Sequence, residues 1–261
     1  MLGELYVLTL RELKKWLRTP FPALGLFIGP IVWVFIFGNA LNAAFFSSGG
    51  ASSTLEGAPN YFNFMASGMA VSMSLTYAGR AGASLFTDRF TGYLDRLKIS
   101  PATRSTIIMA KVFGGVILSL IQAGILLSMS APLGLDLRYL SPASVALILV
   151  TFVLLSTGFC SVFLLVSLRT KRWQTQQLVG PLVVTPITFL SSVFYPATKL
   201  PPILQKLVLL NPLSYAADAA RQLFFHPAPW LIPALQLDML ALGVFAAGAS
   251  AVLALAYRFW L

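Results

Sequence analysis

The chain has 261 residues, 57% of them hydrophobic and only 10% charged, with a mean hydropathy of +0.82. That composition excludes an ordinary soluble domain and points to a polytopic membrane protein. One cysteine, Cys160, and one histidine, His226, leave no material for a disulfide framework or a Cys/His metal site. In so apolar a chain, a net charge of +10 reads as basic cytoplasmic loops and not as a nucleic-acid surface.

The first 18 residues are too long and too polar for the start of a secretory signal, and the apolar run behind them exceeds a signal core. On a helical projection Leu2, Tyr6, Leu10, Leu13 and Leu17 form one stripe, with Glu4, Arg11, Lys15 and Arg18 opposite. This fits a helix lying along the cytoplasmic leaflet, or one packed on a soluble partner. Pro20 and Pro22 then turn the chain into the membrane.

A helix needs about 20 apolar residues to cross the hydrocarbon core. Candidate spans are Phe21 to Ala44, Tyr61 to Phe86, Ile107 to Leu135, Ala143 to Leu168, Leu178 to Tyr195 and Leu231 to Tyr257. The fifth is short and holds Pro181 and Pro186, which kink a helix unless neighbours satisfy the freed carbonyls. With a cytoplasmic amino terminus, 14 of the 18 basic residues fall inside and four, Arg138, Lys199, Lys206 and Arg221, outside. The positive-inside rule therefore favours cytoplasmic termini, and an even number of spans agrees. No acidic residue is expected to be buried within a span, which leaves proton relays without support.

Inside the second span Arg80 lies about two turns from the cytoplasmic end. It either snorkels or makes a structural contact there, or it gates the inner mouth. Met69, Met73 and Thr76, with Thr185 and Thr188 of the fifth span, are candidate pathway-lining residues. Ordinary packing of small, hydroxyl and pliable side chains accounts for the same pattern.

Thr87 to Arg104 joins the second and third spans on the basic side. Phe90, Tyr93, Leu94 and Leu97 recur at helical spacing among Asp88, Arg89, Asp95, Arg96 and Lys98, and Ser100-Pro101 ends the run. Mixed charge with aromatics suits a protein interface better than a lipid-neutralising loop, although a solvated connector shares these features. On the opposite side, Ile203, Leu204, Leu207 and Val208 share one face of a short helix. Asn211-Pro212 stops it and should start a second helix running toward Phe225. The region 199–226 is thus read as an extracytoplasmic re-entrant hairpin, or as a helical loop on the outer surface.

The run Gly92-Tyr-Leu-Asp-Arg-Leu-Lys-Ile-Ser-Pro101, with Arg104 and Met109-Ala-Lys111, resembles the loop of ABC-2 type transporter permeases. Their usual form is a Gly-Thr-x-Glu-x-Leu stretch, a Ser/Thr-Pro and a Gly-Lys entering the next span. Asn211-Pro-Leu-Ser-Tyr-Ala-Ala-Asp-Ala-Ala-Arg221 is similar to the family's Asn-Pro-Leu-Thr-Tyr signature before the last helix. Here Thr91-Gly92 replaces Gly-Thr, Asp95 stands for Glu, and Ala110 replaces the Gly before Lys111.

The resemblance implies an all-α permease with six transmembrane helices, an amphipathic connecting helix over residues 1–20 and a transmembrane domain over residues 21–261. It implies a homodimer in an inner (cytoplasmic) membrane, bound to two ATPase subunits that carry the ATP and Mg, with no cofactor and no catalytic residue in this chain. The absence of a G-x-x-x-x-G-K-[ST] loop from the sequence accords with that division. Asp88, Arg89, Tyr93, Asp95, Arg96, Lys98 and Pro101 become the residues expected to couple to the ATPase. The implied cargo is an amphipathic drug or lipid-like molecule moved outward, with polysaccharide or glycolipid export as the alternative. A membrane scaffold that only docks a cytoplasmic partner is the competing class.

Overall fold

A computed structural model describes residues 2–18, 20–38, 40, 57–99 and 103–260. These residues are mostly helical, with no β-strand among them. Ten α-helices follow in order: α1 (Leu2–Leu17), α2 (Pro20–Pro30), α3 (Tyr61–Phe90), α4 (Tyr93–Lys98), α5 (Arg104–Ser130), α6 (Pro142–Arg169), α7 (Trp173–Phe189), α8 (Pro202–Leu209), α9 (Pro212–Phe225) and α10 (Pro233–Trp260). A π-helical stretch, Ile31–Gly38, continues α2 beyond Pro30. Residues 41–56, which include the expected end of the first span and most of the first outer loop, lie outside the described residues, as do Ser100, Pro101 and Ala102.

The helix starts follow local chemistry. Asn60 caps α3 by accepting from the Asn63 backbone N–H at 2.9 Å. Ser141 caps α6 and Asn211 caps α9, each followed by a proline at the first helical position, where a missing N–H costs nothing. The second half of the 199–226 region begins at Pro212 and ends at Phe225, the limits the Asn-Pro step and the apolar run implied.

The core is built around α3. Its residues from Phe62 to Ser72 are all buried, and it packs against α5, α6 and α9, while α10 covers α6 and α9, and α1 lies on α5. Small residues permit the close approach: a Cβ on Gly82 would sit 2.6 Å from the Phe163 carbonyl oxygen, and one on Gly115 would sit 2.6 Å from Cys160 Sγ. Three helical segments are long and apolar enough to cross a membrane, Ser105–Leu133, Pro142–Arg169 and Pro233–Tyr257. Only 17% of the last is buried, so most of its apolar surface faces outward. The central α3 is of ample length but less apolar. It carries Asn63, Arg80, Asp88 and Arg89, which a helix enclosed by others can hold without meeting lipid.

Several expectations are corrected. The helix expected over the second span continues past Phe86: α3 runs to Phe90, and Gly92, at φ +70°, breaks the chain before α4. The loop is therefore a helix end and a separate short helix. The fifth segment starts at Trp173 and stops at Phe189, not Tyr195. Its cap at Leu190 donates to the Pro186 carbonyl at 2.8 Å, and irregular chain follows. An acidic residue is buried within the sixth segment after all. Asp238, 6% exposed on α10, accepts a hydrogen bond from Gln222 Nε2 at 2.9 Å. Arg221, counted as an outer-loop charge, is wholly buried.

The first helix also sits differently from its projection. Arg11 and Lys15 turn toward the protein, while Tyr6 and Val7 are exposed. It docks through a flank of Leu8, Thr9, Glu12 and Trp16, between the apolar and the charged stripes. Polar partners on α3 and α5 satisfy Arg11, Glu12 and Lys15, while Lys14 and Arg18 stay exposed to solvent.

Candidate functional site

Near the carboxyl end of α3, charges from two helices, α1 and α5, converge on Asp88. Lys111 Nζ lies 2.6 Å from Asp88 Oδ2 and 3.1 Å from Glu12 Oε1. Lys15 Nζ lies 2.9 Å from Asp88 Oδ1, and Arg11 reaches both carboxylate oxygens at 3.2 and 3.3 Å. Ser84 donates to Glu12 Oε2 and accepts from Lys111 at 3.2 Å. Burial of Asp88 favours its neutral form. The Lys111 charge and the hydrogen bonds from Lys111, Arg11 and Lys15 outweigh this and lower its pKa to about 2. Each of these bonds joins separate elements, so the cluster straps α1 and α5 to the end of α3.

The strap extends to α4. The Arg11 guanidinium lies 3.6 Å from the centroid of the Tyr93 ring, a distance suited to cation–π attraction. Leu94 and Leu97 are buried beneath α4, whereas Asp95 and Arg96 are exposed on its outer side. Arg89 donates to the Leu168 carbonyl at 2.7 Å and ties this corner to the end of α6. Phe86, Phe90 and Trp173 pack ring to ring at 5.7 to 5.9 Å, joining α3 to the start of α7. The expected coupling residues therefore divide. Asp95 and Arg96 are presented outward; Asp88 is turned inward at 2% exposure, Tyr93 and Arg89 brace the corner, and the Lys98 side chain and Pro101 lie outside the described residues.

Of the gate and pathway candidates, the structure gathers three. Thr76 and Arg80 of α3 and Thr185 of α7 border one cleft of about 520 Å³ between α3, α6 and α7. The Arg80 guanidinium carbon lies 4.5 Å from the Tyr77 ring centroid and 5.6 Å from that of Trp16. The others lie elsewhere. Met69 is buried in the core, Met73 packs toward Gly29 and Gln122, and Thr188 is buried with its hydroxyl 3.2 Å from that of Ser72.

Sequence reasoning passed over Glu12 and Ser84, and it assigned no role to Lys111. Their positions on three helices share no periodicity. Only the Lys entering the third span carried a signal, through the family motif. Arg221 was missed for a similar reason: Nη2 donates to Ser192 O at 2.6 Å, Nη1 to Asp218 Oδ1 at 2.9 Å, and its guanidinium lies over Phe64 at 3.6 Å. An arginine ten residues after the Asn211 cap looks like a loop charge until those partners are seen.

The flanking amino-terminal helix and the short exposed helix between the ends of two long ones both fall within the stretch that a family profile matches. The ABC-2 type transporter profile matches residues 3–225. The chain belongs to the ABC-2 type transporter family. Similar proteins include the inner membrane transport permease YadH of Escherichia coli strain K12, 30% identical over 212 residues that cover 81% of this chain and 77% of YadH. The putative transport permease ycf38 of Cyanophora paradoxa is 27% identical over 231 residues, 87% of this chain and 76% of ycf38. The daunorubicin resistance ABC transporter permease protein DrrB1 of Streptomyces coeruleorubidus is 24% identical over 222 residues, 84% of this chain and 74% of DrrB1. This ABC-2 family member is a membrane-embedded permease, and the strap of α1, α3, α4 and α5 lies within the matched residues.

Proposed function

We propose that this ABC-2 permease is the membrane subunit of an ATP-driven exporter, working as a pair of copies with two separate ATPase subunits. In this reading both termini and α4 face the cytoplasm, and the chain crosses six times. α3, about 45 Å long at 1.5 Å per residue, is long enough to be one of the crossings. α8 and α9 form the extracytoplasmic re-entrant hairpin, and α2 and α7, which leave Phe27, Ile28 and Leu182 exposed, face the second copy.

The observation that carries the reading is the exposed pair Asp95 and Arg96 on a short helix that packs against α3 and whose Tyr93 ring lies against Arg11 of α1. Coupling requires that closure of the motor favour one helix arrangement by differential contact, and a braced helix passes that bias on where a loose loop would absorb it. The cargo is an amphipathic drug or lipid-like molecule moved outward. The similarity to DrrB1, a daunorubicin resistance permease, favours a drug, and polysaccharide or glycolipid export is the alternative within the family.

The test is reconstitution of this chain with its ATPase in vesicles. Replacing Asp95 and Arg96 together by Gly is expected to abolish cargo export while ATP hydrolysis and membrane insertion persist. Unchanged export by that variant would contradict the role of α4, and the lack of any ATPase whose turnover rises on binding the chain would favour a docking scaffold.

A further inference from the structure

We propose that the cleft beside Arg80 takes the acidic headgroup of an amphiphile, a phosphate or carboxylate carried on an apolar body. The inference rests on the export reading for its biological meaning, and on three observations for its chemistry.

First, Arg80 is a cation in the inner half of a long helix with no carboxylate paired to it among the described residues. Its neighbours are the rings of Tyr77 and Trp16, and its Nε is buried without a hydrogen-bond partner. Every other charge nearby is spoken for, because Lys111 and Lys15 are held by Asp88, and Glu12 by Lys111 and Ser84. Ring contacts hold a guanidinium in place but supply no anionic acceptor, so its in-plane donors keep the geometry that recognises a phosphate or carboxylate.

Second, Arg80 borders two clefts: the one toward α1 and α5 also holds Glu12, Lys15 and Lys111, already paired with one another and with Asp88, whereas the roughly 520 Å³ cleft between α3, α6 and α7 has no acidic residue in its lining. A cation substrate would meet repulsion there, and an anion would not. Third, the lining is divided by chemistry. Thr76, Thr185 and Gln176 offer hydrogen bonds, and Gln176 has its amide oxygen buried without a partner while its Nε2 donates to Ser167 at 3.1 Å. Phe163, Pro181 and Val184 supply an apolar wall. A bare ion would leave that wall unused, and a plain hydrocarbon would leave Arg80 and Gln176 unsatisfied. The volume lies within the range that encloses a drug-sized molecule.

The experiment uses the purified chain in phosphatidylcholine nanodiscs, without ATP, and measures binding of dodecyl phosphate, dodecyltrimethylammonium and inorganic phosphate. Dodecyl phosphate is expected to bind saturably and at least about tenfold more tightly than dodecyltrimethylammonium, the scale of a charge-assisted hydrogen bond. Arg80→Gln is expected to erase that preference and Arg80→Lys to keep part of it. Competition by phosphatidic acid would identify a bilayer lipid as the source of the headgroup, and failure to compete would identify a smaller amphiphile.

Equal affinity for the two headgroups, uptake that never saturates, an Arg80→Gln variant that still discriminates, or inorganic phosphate binding as tightly as dodecyl phosphate would each overturn the proposal. The wild-type comparison decides the matter even if Arg80→Gln fails to fold. Because the assay needs no motor, its failure leaves the vesicle test of export standing, and the reverse holds too.

Discussion

Lys111 and Asp88, one on α5 and one near the end of α3, form a buried ion pair with Nζ 2.6 Å from Oδ2, both side chains being at most 3% exposed. Burying two charges is costly, and the pair persists because Glu12, Ser84, Arg11 and Lys15 satisfy what remains. Removing Lys111 takes away the fully buried cation of the group and leaves Asp88 and Glu12 to the partly exposed Arg11 and Lys15. Lys111→Met is expected to cost about 1.5 to 3 kcal/mol, the scale of a hydrogen bond to a charged group, read as a lower melting temperature of the detergent-solubilised protein. Adding Asp88→Asn to Lys111→Met should recover part of the loss, and a double variant no more stable than the single one would contradict the pairing.

The same carboxylate makes a pH prediction. Its pKa in the folded chain is about 2, against 3.8 for the unperturbed group. The stabilisation is therefore fully present above the unfolded value and is lost as pH falls from about 4 toward 2. The difference corresponds to about 2 kcal/mol. Melting curves from pH 6 to 2.5 should show a decline that Asp88→Asn flattens. Parallel declines in the two proteins would assign the acid sensitivity to other groups.

Gly82 faces the backbone of α6, where a Cβ would meet the Phe163 carbonyl oxygen at 2.6 Å. That oxygen belongs to a helix and cannot swing aside. Gly82→Ala is expected to destabilise by about 1 to 3 kcal/mol through forced separation of α3 and α6. Gly180→Ala, with open space around its position, is the control and should leave the melting temperature nearly unchanged.

Arg221 is enclosed completely and uses a planar fork on Ser192, Val193 and Asp218. Arg221→Lys keeps the charge and loses the fork, so the carbonyls of Ser192 and Val193 lose their donor. Reduced folded yield and a melting temperature well below wild type are expected. Wild-type stability in Arg221→Lys would mean that charge alone suffices there.

Where the sequence sufficed, the reason was local. Asn211-Pro212 set the start of α9, because an Asx cap and a proline at the first helical position act through the residues immediately beside them. The apolar runs marked the long segments of α5, α6 and α10, since lipid selects for continuous apolar surface. The end of α3 was misjudged because the charges at Asp88 and Arg89 look like a solvated loop. Their partners, Lys111 and the Leu168 carbonyl, are 23 and 79 residues away.

The sequence by itself determined the class of the protein: an apolar, helical chain without a nucleotide loop, carrying the two motifs that match the family. Only the tertiary structure decided which charges are inside. It turned Asp88 inward, left Asp95 and Arg96 outside, drew the charged flank of α1 onto α3 and α5, and placed Arg80 beside a cleft without an acidic partner. Hydropathy is a sum over neighbours in the chain, whereas the fate of a buried charge depends on which distant side chain arrives to meet it.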